Sequence, residues 1–133
     1  MTRQAPCGPA EAARKARLAR AYLDLAEQTA QHDGDETRNV AAGNAILATV
    51  AASDALTCLH LGRHSRGQAH QDATALLRTI NPGGGKLAKD LHTAVGVKDS
   101  AHYGSVFLSA SALRTTLRAA TRLVEAAENA INS

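Results

Sequence analysis

Aromatic residues are almost missing from this chain. Tyr22, Tyr103 and Phe107 make up 2% of 133 residues, and there is no tryptophan. Large rings cannot fill a core here, so alanine must supply much of the apolar surface. A buried alanine removes far less area from water than a leucine does, and each helix gains less from packing. Helices must therefore approach closely, and a lone copy has little stability to spare. A second copy covering a further face would relieve this, so a homodimer is expected. The shortage of rings also argues against a module that reads RNA bases by stacking.

Cysteine is scarce as well. Cys7 and Cys58 are far apart and form no C-x-x-C motif. A small secreted disulfide scaffold would need more, so the sequence predicts reduced thiols in a cytoplasmic protein. The first ten residues lack an apolar core and contain Pro6 and Pro9, unlike a signal peptide. The longest apolar run, 45–52, is interrupted by Thr49. It falls far short of the ~18 residues of a membrane span, so no membrane association is expected. The net charge of +3 permits polyanion binding without requiring it.

What the chain does have is helical periodicity. Residues 1–8 read as a flexible tail, and 9–133 as one domain. Pro9 suits a first helical turn, and the first helix should run to about residue 31 with Leu18, Ala21, Tyr22 and Leu25 on one face and Ala26 at its edge. Asp33-Gly34-Asp35 breaks it. A second helix is predicted over 39–61, with Ala45, Ile46, Thr49, Ala52, Leu56 and Leu59 inward and Gly62 at its end. A third should span 68–80, with Ala69, Ala73, Leu76, Leu77 and Ile80 inward, and a shorter one 86–93. The last, capped by Ser109 or Ser111, should reach Ile131 with Leu113, Leu117, Ala120, Val124 and Ala127 inward. Residues 106–108 could form a short strand, but no partner strand stands out. Long helices with short connections predict an all-α fold, an antiparallel up-and-down bundle of four to five helices.

Chemistry concentrates in Lys98-Asp99-Ser100-Ala101-His102-Tyr103-Gly104. On a helix Lys98 and His102 share a face, with Tyr103 beside them. A cation beside an imidazole favours the neutral ring, which can accept a proton near neutral pH. Lys98 could then hold a phosphate while His102 acts as general base. The same residues would serve equally as turn and end-filling groups. Arg63-His64-Ser65-Arg66 leads to His70 and forms a second basic cluster, suited to anion contact through Arg63, Arg66 and His70. Arg114, Arg118 and Arg122 make a basic stripe that would extend the field if it flanks residues 98–104. Such stripes also serve as plain solvated faces.

No metal site is expected. His60, His64 and His70 are spaced as ligands could be, but Gly62 interrupts them and nothing completes the set. Gly83-Gly84-Gly85-Lys86 lacks the earlier glycine and the following hydroxyl of a phosphate loop. Asp54 lies within an otherwise apolar helix. It requires a salt-bridge partner or a polar pocket shared with His102.

Taken together, Ser53-Asp54-Ala55, the segment from Leu61 to Gln68 and the 98–104 motif resemble the HEPN superfamily of small helical-bundle proteins. The resemblance covers roughly residues 18–130. It implies an all-helical domain, commonly homodimeric, associated with RNA, nucleotides or a partner nucleotidyltransferase. Many members are ribonucleases of toxin–antitoxin or defence systems, marked by an arginine and a following histidine with four to six residues between them. Here Lys98 precedes His102 by three intervening residues. Lysine also lacks the planar fork that grips a phosphate bidentately. The sequence therefore predicts a HEPN-like binding or regulatory module for RNA, a nucleotide or a protein partner, without catalysis or cofactor. A metal-independent endoribonuclease using Lys98, His102 and Tyr103 is the alternative.

Overall fold

The computed structural model describes residues 3–66, 70–104 and 106–133. It is an all-α helical bundle carrying one two-stranded antiparallel ribbon. Two long helices, α1 (Pro9–Ala30) and α2 (Asp35–Leu61), form an antiparallel hairpin. Gly34, at φ 136°, makes the turn between them, a backbone region that side-chain-bearing residues rarely adopt. Gly62, at φ 73°, closes α2 with a left-handed cap whose N–H bonds to the Cys58 carbonyl. Two shorter helices, α3 (His70–Arg78) and α4 (Gly84–Val95), follow. Then come the one-and-a-half-turn α5 (Lys98–Tyr103) and the long α6 (Ala110–Asn132). Ser109 caps α6 by accepting the Ala112 N–H. Residues 106–108 form no strand. Gln68 and Ala69, predicted within the third helix, lie outside the described residues.

Alanine builds the core. Ala12, Ala16, Ala19, Leu23 and Ala26 are the buried face of α1. The leucine face predicted from periodicity lies instead on the flank, and Leu18 and Leu25 are each about half exposed. Alanine lets α1 sit close to both α2 and α6, and the larger side chains are left outside the seam. The centre of the bundle is filled by Leu23, Leu77, Leu91, Leu123 and Val124, each fully buried. The third Gly of the 83–85 run has open space around it, whereas a Cβ on Gly84 would stand 2.6 Å from the Leu77 carbonyl oxygen. That close approach of α4 to the end of α3 explains the glycine that resembled a phosphate loop. α2 is the most apolar helix, long enough to cross a membrane, yet 72% of its most apolar stretch is buried inside the bundle. Its hydropathy is that of a central core helix.

Two features of the N-terminus correct the sequence expectations. The segment read as a flexible tail contains β1 (Gln4–Pro6), which pairs with β2 (Arg63–Ser65) so that Ala5 stands opposite His64. Cys7 and Cys58, read as reduced thiols, are joined in a disulfide across 51 residues of chain. The Cys7 N–H also bonds to the Gly62 carbonyl at 3.0 Å. The hairpin turn lies midway between the two cysteines, so folding brings them opposite one another. The cytoplasmic expectation rested on free thiols and loses that support.

Candidate functional site

α5 is held against the first half of α2 by a buried amide. Asn39 is only 6% exposed, and its Nδ2 donates to the Ser100 carbonyl at 2.8 Å. Its Oδ1 accepts the Leu108 N–H at 2.9 Å. The neighbouring Arg38 donates through Nε to the Leu108 carbonyl, also at 2.8 Å. Two adjacent α2 side chains thus fix both polar groups of one residue. They bracket the whole 100–108 segment. His102 lies over Gly43 with its Nε2 at 3.4 Å from the Gly43 carbonyl. A Cβ at position 43 would come 3.0 Å from the ring, so the glycine makes room for the imidazole.

Fixing α5 in this way places Lys98 in a cleft. His70, Gln71 and Thr74 from α3 line it, with His92, Val95 and Gly96 at the end of α4, then Lys98 and Asp99. Its volume is about 360 Å³. The His70 Nε2 is buried and finds no hydrogen-bond partner among the described residues. Burial holds the His70 pKa below its ordinary 6.5, and the nearby charges of Lys98 and His102 press it the same way. Lys98 enters no ion pair among the described residues. A cation with unpaired protons beside imidazoles can receive an anion, and an imidazole can also move a proton. A larger hollow, about 390 Å³ between α1 and α6, is lined by Ala13, Ala16, Arg17, Ile131 and Asn132 and by the paired Arg20 and Glu128. Arg17 enters no ion pair among the described residues, as Lys98 does not, but no imidazole lines this hollow.

The structure therefore joins two motifs that are 28 residues apart in sequence. His70 and Lys98 line one cleft, whereas the His102 ring lies against Gly43 of α2 and is not part of the lining. Tyr103 does not join them; it is 74% exposed at the end of α5. Arg63 lies on β2 and Arg66 just after it, bonded through its backbone N–H to the Arg3 carbonyl. Neither lines the cleft. Arg114 lines a different hollow with His32, Asp33 and Arg38, and Arg118 is exposed. Arg122 is engaged bidentately by Asp90 of α4, the shortest contact being 2.7 Å. The stripe on α6 thus does not extend the Lys98 field in the way its spacing suggested. His92, Asn39 and Gly43 were missed in the sequence. Asn39 follows the polar run Asp35–Arg38 at the start of α2, so no local signal marked it.

Asp54 has the salt-bridge partner the sequence demanded. Its carboxylate lies 3.6 Å from the Lys15 ammonium and 4.0 Å from the His64 ring, not beside His102. Burial nevertheless raises its pKa, outweighing the opposing influence of Lys15 and His64. No family of proteins, curated protein or solved structure matches the chain.

The low His70 pKa has a measurable consequence. The folded chain binds this proton more weakly than the unfolded chain does. Its contribution to stability is therefore complete above pH 6.5 and is lost as the pH falls below that value. Melting midpoints taken from about pH 7.5 to about pH 5 should fall more gently for His70→Gln than for the parent chain. Parallel slopes would place His70 in ordinary solvent and remove it from the cleft.

Proposed function

We propose that this chain is a HEPN-like binding module that takes a phosphate-bearing ligand, RNA or a nucleotide, at the α3–α4–α5 cleft. The supporting observation is Lys98, an uncommitted cation sharing one cleft with His70 and His92. Phosphate oxygens accept from an ammonium and from imidazole N–H groups, and the protein needs no cofactor to offer them. Binding without turnover fits the site better than cleavage does. His102 faces a backbone carbonyl across 3.4 Å, and no arginine lines the cleft to steady a developing phosphorane. The endoribonuclease reading keeps one observation in its favour, that Lys98 shares one cleft with the imidazoles of His70 and His92.

A homodimer remains part of the proposal. Leu18 and Leu25 on α1, with Val40 and Leu47 on α2, are 40–55% exposed. Each pair recurs at a spacing of seven, so two apolar stripes run along the paired helices. A cytoplasmic setting and a nucleotidyltransferase partner belong to the same reading.

Fluorescence anisotropy with labelled single-stranded RNA tests it, alongside a competing nucleoside triphosphate. Affinity should fall with salt, and Lys98→Ala should weaken binding and reduce the salt slope by about one contact. RNA incubated with the protein in chelator should stay intact. No binding at low salt, or equal binding by Lys98→Ala, would overturn the cleft as the ligand site. Cleavage that vanishes in His102→Ala would replace the binding module with the endoribonuclease.

A further inference from the structure

A second group of side chains gathers where the N-terminus meets the end of α2. The Cys7 and Cys58 sulfurs and a Glu11 carboxylate oxygen all lie within 4.8 Å of one another. The His64 Nε2 stands 3.5 Å from the same carboxylate. The other ring nitrogen, Nδ1, lies 3.0 Å from the Ser65 carbonyl, which can only accept. Nδ1 therefore donates to Ser65, which leaves Nε2, on the Glu11 side, as the nitrogen a metal would take. This is the second-contact arrangement that orients a histidine for a metal. The Asp54 carboxylate, 4.0 Å from Nδ1, backs the same ring edge.

We propose that the reduced chain binds one zinc ion through Cys7, Glu11, Cys58 and His64. Two sulfurs and a carboxylate stand within 4.8 Å of one another, and the imidazole, 3.5 Å from that carboxylate but outside the mutual group, would complete a tetrahedral set of zinc's preferred ligand types by turning toward the sulfurs. All four positions come from the protein, which makes the site structural rather than catalytic. With Zn–S bonds of about 2.3 Å, the two sulfurs need to stand about 3.8 Å apart, a separation reached by small side-chain rotations once the S–S bond is broken. The site carries one net negative charge, and Lys15, 4.0 Å from Glu11 and 3.6 Å from Asp54, lies beside it to offset this.

The disulfide and the metal exclude each other. A dithiol reductant donates two electrons and two protons, the S–S bond breaks, two thiols form, and the reductant leaves as its own disulfide. Zinc then displaces one proton from each thiol into solvent as two Zn–S bonds form. In either state the start of α1 remains tethered to the end of α2. The tether thus survives both oxidising and reducing surroundings, provided zinc is present under the latter. This inference does not depend on the ligand proposed for the α3–α4–α5 cleft.

Cobalt(II) is the probe. Protein reduced with a phosphine and freed of reductant under argon should take up one cobalt, with thiolate-to-cobalt charge-transfer bands and the d–d bands of a tetrahedral centre. Oxidised protein should show none. Zinc should displace the cobalt and raise the melting midpoint of the reduced chain alone. His64→Ala and Glu11→Gln should each weaken cobalt affinity by at least about 10-fold while keeping the thiolate bands. Cys58→Ser should lose half the charge-transfer intensity or all binding. If the reduced parent chain gives no thiolate bands, or if both His64→Ala and Glu11→Gln bind as tightly as the parent, the proposal fails. A reduced chain that unfolds and does not refold on adding zinc overturns it equally.

Discussion

Reducing the Cys7–Cys58 disulfide in the presence of a chelator should cost about 4 kcal/mol of folding stability. The bond closes a loop of 51 residues, and a cross-link of that span removes much of the freedom of the unfolded chain. Domains of this size are stable by only about 5–15 kcal/mol, so the loss is a large fraction of the whole. It bears harder on a core whose helix contacts are built largely from alanine. The melting midpoint should drop by roughly 15 °C. The damage should begin at the N-terminal ribbon, because the disulfide is continuous with the β1–β2 pairing and with the Cys7–Gly62 backbone bond. Urea titrations of the oxidised chain, the reduced chain and a Cys7→Ala/Cys58→Ala variant decide the matter. The last two should coincide, and reductant should leave the variant unchanged. A reduced chain within about 1 kcal/mol of the oxidised one would show that the helices hold the N-terminus unaided.

The same bond shows where sequence reasoning succeeds and where it stops. The helices and their breaks are legible, because Asp33-Gly34-Asp35, Gly62 and the Gly83–Gly85 run act through local backbone preferences. The Ser109 cap is legible for the same reason. The partnership of Cys7 with Cys58 is a tertiary fact. It becomes visible only when the two helices are folded about Gly34, which lies halfway between the cysteines. Counting cysteines led instead to free thiols. The face of α1 fails for another reason. Leu18 and Leu25 dominate any hydrophobic pattern, yet close packing is decided by the alanines at positions 12, 16, 19 and 26.

The candidate site divides along the same line. Lys98 and His102 stand out because they are near one another in sequence. His70 stands out with the preceding basic segment, but nothing local says that it meets Lys98. His92 is a lone histidine on a short helix, and only the packing of α3 against α4 brings it to the cleft. Arg63, Arg66, Arg114 and Arg118 have the right charge and the wrong positions. A basic residue is recognisable by type, whereas its membership of a cleft depends on helix orientation.

Asn39→Ala should have the second largest effect, costing about 3 kcal/mol, because it strands two backbone groups at once. The Leu108 N–H loses the side-chain oxygen it donates to, and the Ser100 carbonyl loses its 2.8 Å donor. Leu108 is itself buried at 8% exposure, so water does not readily replace the amide. Asn39→Asp separates the two contacts. Its carboxylate can still accept from Leu108, but it cannot donate to Ser100, and it faces that carbonyl with like polarity. It should therefore protect the Leu108 amide from exchange better than alanine does, while still loosening α5. Hydrogen exchange at Leu108 and urea titration read these effects separately. The loss should reach the cleft as well, since Ser100 lies between Lys98 and His102 on the same short helix. In Asn39→Ala the pH dependence traced to His70 should approach that of the unfolded chain. A variant that matches the parent within about 0.5 kcal/mol would mean that α5 is held by Gly43 and the surrounding apolar contacts instead.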